Sequence, residues 1–195
     1  DLGMSRGNLN YHFRRKRDLI LATVDVLEAR LDEALQRPES VATPVEAAEY
    51  IVRIIETFWE FRFFFNGLSY LLRNHRPIRK RYVELRDKVL HSIEVDISYL
   101  AERGYFLPEK SPNSFNLLVD NIWGLFLNWL RMAQIESPLS PKPEKQALYD
   151  CVTHFWSLCH LWLEPRFALQ LYTAFNILLP GAKRPKARKA PTRRS

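Results

Sequence analysis

Cysteine is almost absent from this 195-residue chain: only Cys151 and Cys159 occur, eight positions apart on one predicted helix. A rise of about 1.5 Å per residue would hold them about 12 Å apart. That is too far for a disulfide between them, and a reducing cytoplasm is the expected setting. Glycine is scarce, at six residues, and no phosphate loop, HExxH or GxSxG motif occurs. No tight carboxylate pair with a candidate partner is present either. The chain is therefore not expected to be an enzyme, and no cofactor is expected. Long apolar runs are missing too. "LLVDNIWGLFLNWL" is interrupted by Asp120, Asn121 and Asn128, and "CVTHFWSLCHLWL" stops at Glu164-Pro165, both short of the roughly 18 to 20 residues that span a bilayer. For want of such a run no membrane partner is expected, and, as no basic-then-apolar leader opens the chain, nothing suggests secretion.

Apolar residues, at 47%, and aromatics, at 13%, are plentiful enough for a substantial core. The net charge of +7 is unevenly placed: seven of the 29 bases lie in residues 183–195 with no acid, leaving 22 bases against 22 acids elsewhere. The body is thus neutral. The stretch 181–195, Pro-rich, basic and without large apolar residues, reads as a disordered tail that is either solubilising or an auxiliary contact to DNA phosphates.

The rest reads as helix. Ile20, Val24, Leu27, Leu31 and Ala34 recur at helical spacing up to about Gln36. "TPVE" then opens a second helix, with Thr43 as N-cap, Pro44 in the first turn, Glu46 closing a capping box, and an apolar stripe of Val45, Ala48, Val52, Ile55 and Trp59. The period fails at "EFRFFFNG", which predicts a break before a helix over about 65–74. After Arg76-Pro77, Ile78, Tyr82, Leu85, Val89, Ile93, Ile97 and Leu100 mark the buried face of a long helix, with Gly104 as its C-terminal cap. Helices over about 113–133 and 145–163 are apolar nearly all round, which predicts burial on every side and hence a second subunit. A last helix follows Pro165, to about Leu179. No β-run, hairpin signal or internal repeat competes, and the expected fold is all-α.

Against that background the stretch "LGMSRGNLNYHFRRKRDLI" stands out. Gly3 suits a turn between helices and Ser5 an N-cap, while Leu9 and Phe13, four apart, share one inward face. The first turn of the resulting short helix shows Arg6, Asn8 and Asn10. Arginine pairs bidentately with guanine and asparagine with adenine in the major groove, and the helix N-terminus and Lys16 suit phosphates. The pattern is the second half of a helix-turn-helix.

The wording "G-M-S-R-G-N-L-N-Y-H-F-R-R-K-R-D-L" closely resembles the TetR/AcrR (tetracycline-repressor-like) family of transcriptional regulators, whose third and fourth helices typically read G-V-S-x-G-x-L-Y-x-H-F-x-x-K-x-x-L. Gly3, Ser5, Gly7, Leu9, His12, Phe13, Lys16 and Leu19 coincide. Asn10 replaces the family's usual aromatic, and Arg15 its frequent small cap residue. "FRFFFNGLSYLLRNHRPIRKRY" resembles, more loosely, the start of the C-terminal domain in one branch.

The resemblance implies a homodimeric, ligand-responsive repressor that binds double-stranded operator DNA through Ser5, Arg6, Asn8, Asn10, Tyr11, His12 and Lys16. It also implies that the family's first helix and most of its second precede Asp1. The expected organisation is the remainder of a helix-turn-helix head and connecting helix over 1–37, an effector-binding and dimerisation body of about six helices over 38–180, and the tail. In the family, ligand binding moves the helix that follows the recognition helix, here about Lys16 to Gln36, and so changes the spacing of the two heads. Without the upstream helices, the alternative is a helical small-molecule- or protein-binding module lacking DNA-binding activity.

Two aromatic groupings remain. Phe58, Trp59, Phe63, Tyr70, Trp123 and Phe126, with Asn121 and Asn128, read either as core or as a pocket for a small apolar or aromatic effector. Trp129, Trp156 and Leu163 are candidates for a dimer interface. Cys151 and His154 lie one turn apart, but His160 falls on the opposite face and Cys159 farther along, which favours packing over metal ligation.

Overall fold

The computed structural model describes residues 16–36, 43–108, 113–136, 140 and 142–182, and the side chains of Lys16 and Arg17 are outside that description. Among the described residues there are eight α-helices and no strand. They are α1 (Lys16–Leu35), α2 (Pro44–Glu60), α3 (Arg62–Asn66), α4 (Leu68–Asn74), α5 (Arg76–Glu102), α6 (Ser114–Glu136), α7 (Lys145–Cys159) and α8 (Pro165–Leu178), with a 3₁₀ turn at His160–Trp162 after α7.

The all-α expectation holds, and several boundaries follow from local chemistry. The Thr43 side chain accepts from the Glu46 N–H, and the Glu46 carboxylate accepts from the Thr43 N–H at 3.0 Å, closing the capping box that "TPVE" spells. Thr43→Ala is expected to cost about 1 kcal/mol, read as a shift in the denaturant midpoint at unchanged slope. At the end of α5, Gly104 has φ +74°. The Tyr105 N–H reaches the Leu100 carbonyl at 2.8 Å and the Gly104 N–H that of Ala101 at 3.0 Å, a Schellman ending that needs the left-handed glycine.

The aromatic segment departs from expectation. The chain breaks at Phe61 and again at Gly67, giving two short helices, α3 and α4, in place of one over about 65–74. This raises the body from six helices to seven. Phe61, Phe64 and Phe65 turn inward and Phe63 outward, so four nearby rings serve more than one face. Val45, expected on the buried stripe of α2, is exposed, because the face turned to the core carries Ala47, Ala48, Ile55, Phe58 and Trp59. The apolar run after α7 shifts into the 3₁₀ turn. There the Leu107 N–H bonds to the Trp162 carbonyl and the Glu164 N–H to that of Tyr105, tying the end of α7 to the loop after α5.

α2 is the central element, packed on α1, α6, α7 and α8, while α1 is held between α2 and α5. Val24, Leu27, Leu31 and Ala34 seat α1 in the core, as their spacing predicts. On its wetter side, Arg81 of α5 bonds to Glu28 through Nε at 2.9 Å and to Asp25 through Nη2 at 2.8 Å, and Lys88 pairs with Asp32. No buried polar or charged residue occurs among the described residues. No described helix is long and apolar enough to cross a membrane.

Candidate functional site

The helices line a partly open apolar cavity of about 130 Å³ between α1, α2, α5 and the C-terminal helices. α2 lines it with Ala47, Tyr50, Ile51, Ile54 and Phe58, and α5 with Val89, Ile93, Asp96, Ile97, Tyr99 and Leu100. Leu35, the last residue of α1, reaches it from one side; Ile122 and Phe126 of α6, Phe155 and Cys159 of α7, and Phe167 and Leu171 of α8 close the other. The α2 contribution follows from position: residues 47, 50, 51, 54 and 58 recur every three or four along one stripe, which the helix turns toward α5.

Polar groups meet the cavity at one corner. The Tyr50 hydroxyl donates to Asp96 Oδ2 at 2.9 Å and lies 3.3 Å from the Leu35 carbonyl oxygen. Burial, reinforced by the adjoining Asp96 carboxylate, pushes the Tyr50 phenol well above its usual range, so it remains a donor. Next to it, Arg53 Nη2 donates to the carbonyls of Gln36 at 3.0 Å and Ala34 at 3.4 Å, and its guanidinium lies over the Tyr50 ring. The C-terminal carbonyls of α1, which have no partner within the helix, are thus held by two side chains of α2. Burial pushes the Cys159 thiol up to about 12 and raises that of Cys151 as well, so both are small hydrophobes rather than nucleophiles.

Of the eight residues expected around a pocket, Phe58 and Phe126 line this cavity. Trp123 packs edge-on behind Phe58 at 5.8 Å between ring centroids. Trp59 points away, against Trp129 and beneath the Arg62 guanidinium. Phe63, Tyr70 and Asn121 are exposed, and Asn128 lies in a separate groove between α6 and α7. The pairing of Tyr50 with Asp96 carries no local sequence signal, because it joins positions 46 apart.

The expected interface residues are also redistributed. Leu163 is buried and lines the cavity; Trp129 is buried, with Nε1 donating to the Ala147 carbonyl at 2.8 Å; Trp156 donates to the Ala168 carbonyl at 3.0 Å and stacks on His160. All three pack within the chain. A helix apolar all round does not reveal which side its own chain covers. The side of α6 left open carries Leu117, Asn121, Gly124, Asn128, Met132 and Ile135, with Leu117 60%, Met132 48% and Ile135 67% exposed. Gly124 sits mid-helix, with nothing within 4 Å of where a Cβ would stand. Among the described residues, no group of three or more His, Cys, Asp or Glu is placed to hold a metal. Ser5, Arg6, Asn8, Asn10, Tyr11 and His12, the side chain of Lys16, and the tail over 183–195 lie outside the described residues.

The family model of the TetR bacterial transcriptional repressors matches residues 26–171, three quarters of the chain. The protein belongs to the TetR family. A similar solved structure is that of a TetR-family transcriptional regulator from Marinobacter aquaeolei VT8, 25% identical, superposing with a TM-score of 0.75 over 92% of this chain and 85% of that one. None of the curated proteins matches in sequence. The matched span runs from within α1 to α8, so the TetR assignment rests on the helical body as well as on the wording of the opening motif. It makes the protein a transcriptional regulator of a DNA-binding family.

Proposed function

We propose that this regulator is a ligand-responsive repressor that reads an operator as a homodimer, with residues 5–13 as the recognition helix and the cavity between α2 and α5 as its effector site. The observation that carries the effector reading is the position of Leu35. It ends α1, the helix that begins directly after the recognition segment, and it also lines the cavity. An occupant touches α1 at one end, while the reading residues directly precede the other end in the sequence. A rigid helix of 20 residues spans about 30 Å, so a small tilt set at Leu35 becomes a displacement of the head. Half-sites one helical turn apart, about 34 to 36 Å, tolerate little such change.

Homodimerisation is supported by the open face of α6. Its exposed stripe sets Leu117, Met132 and Ile135 beside Gly124 and the amides Asn121 and Asn128, and an interior glycine costs about 1 kcal/mol of helix stability relative to alanine. Close approach of a second copy is a physical reason to keep Gly124 there. Division into a head with connecting helix over 1–37, a body over 38–180 and a basic tail, working in the cytoplasm, completes the proposal.

The reading is tested by substitution in the native, full-length protein. Arg6→Ala and Asn10→Ala are each expected to lose about 1 to 3 kcal/mol of discrimination at particular base pairs, whereas Lys16→Ala weakens all duplexes alike. Equal losses on specific and random duplexes for Arg6→Ala would remove it from the reading set.

A further inference from the structure

Residues 61–83 hold six bases, Arg62, Arg73, Arg76, Arg79, Lys80 and Arg81, and no acid. Three of them are accounted for within the fold. Arg62 donates to the carbonyls of Trp59 and Ser140, Arg81 is held by Asp25 and Glu28, and Lys80 faces Glu84 one turn along α5 at 3.7 Å. The other three are not. Arg73, at the end of α4, and Arg76 and Arg79, in the first turn of α5, are exposed, and among the described residues no acid pairs with any of them. Arg73 donates to the Ser69 carbonyl at 3.2 Å, which leaves its charge unneutralised. The helix itself gives no reason for such bases: the N-terminal end of the α5 macrodipole is positive, so Arg76 and Arg79 oppose it, and its first turn holds no acid.

Their place in the fold supplies one. α5 lies beside α1 and runs in the same direction, because Arg81 meets Asp25 and Glu28 while Lys88, two turns on, meets Asp32. Counting back along both helices at about 1.5 Å per residue sets Arg76 level with about residues 20–23 of α1, about 6 to 10 Å along the axis from Lys16. That is comparable with the Debye length of about 8 Å at physiological salt, so a phosphate held at the start of α1 still attracts these charges. α1 brings one acid to this end, Asp18, against three arginines. Resting on the reading of residues 5–13 as the recognition helix, we infer that Arg73, Arg76 and Arg79 form a second phosphate contact, carried by the body, on the backbone of the same duplex beside the base pairs that the head reads. Charge and position fix the occupant: the duplex is a polyanion brought to the head end of α1, and this patch is exposed positive surface next to it. Such contacts add affinity and orientation without carrying sequence information.

The test is a titration of the native full-length protein against an operator selected from a random duplex pool and against its scrambled counterpart, at several salt concentrations. In R73Q/R76Q/R79Q, affinity for both duplexes at about 0.1 M salt is expected to fall by about 10-fold or more, and the slope of log K against log salt to flatten by about 1 to 3, while the preference for the operator stays within about 3-fold of wild type. R103Q, at the far end of α5 about 40 Å away, should leave the slope unchanged. R73K/R76K/R79K, which keeps the charge and loses the guanidinium fork, should retain the wild-type slope. R76Q and R79Q singly, each flattening the slope by up to about 1, provide the reading if the triple glutamine variant loses helicity. An unchanged slope in the folded glutamine variants with operator preference intact, an equal flattening in R103Q, or a slope lost in the lysine variant would overturn the phosphate contact and leave the repressor reading standing. So would capture of wild type, but not of R73Q/R76Q/R79Q, by phosphatidylserine vesicles at an unchanged DNA slope, which would assign the patch to a lipid surface. Wild type that prefers no duplex over any other would overturn the repressor reading and the contact with it.

Discussion

Phe58→Ala is expected to lower folding stability by about 3 to 5 kcal/mol, the cost typical of removing a fully buried ring. Phe58 is 0% exposed, with ring centroids 5.3 Å from Phe65, 5.8 Å from Trp123 and 6.2 Å from Phe126. It also borders the cavity, so the space vacated joins an existing void, and neighbouring rings on α3 and α6 lose their partner together. In a domain of this size the loss corresponds to a melting temperature lower by roughly 10 °C. Phe58→Leu, which retains much of the volume, should fall between the two. A Phe58→Ala protein within about 1 kcal/mol of wild type by denaturant unfolding would show that α2, α3 and α6 are held by something other than this ring cluster.

Gly124→Glu is expected to convert a dimer into a folded monomer, weakening association by about 100-fold or more, because two like charges and two long side chains would be forced into a helix crossing. Within one chain the same change is harmless: nothing lies within 4 Å of the new Cβ, and replacing a mid-helix glycine improves helix propensity. Sedimentation with far-ultraviolet circular dichroism separates the effects. Unchanged helicity with a halved mass is the expected result. A dimer of undiminished affinity would place the interface away from Gly124.

Much of this architecture was legible because the local signals are self-contained. "TPVE" specifies its own cap, Gly104 its own helix ending, and the stripe from Ile78 to Leu100 faces the core at Ile78, Tyr82, Leu85, Val89 and Ile97. The site was less legible. Ala47, Tyr50, Ile51, Ile54 and Phe58 read simply as helix until α5 is placed against them, and Asp96 gains its meaning from Tyr50 on another helix. One signal was present: Asp96 lies three residues after Ile93 and four before Leu100, a carboxylate on an apolar stripe. The aromatic wealth of α6 and α7 gave no direction. Trp129 and Trp156 look alike from sequence as core or interface, and what turns them inward is acceptors from distant elements, the carbonyls of Ala147 and Ala168. The outward stripe of α6 is instead marked by its small and amide residues, Gly124, Asn121 and Asn128, which the eye passes over in a run of leucines and tryptophans.

The central claim is that this TetR-family body serves a sequence-reading, two-fold head, and selection of duplexes from a random pool by the native full-length protein tests it most directly. The account predicts enrichment of one inverted-repeat sequence, with half-sites centred about 10 base pairs, or a multiple of that, apart, and discrimination that survives raised salt better than binding to random DNA. A pool that returns no enriched sequence, with binding that is uniform across duplexes and collapses with salt, would contradict it.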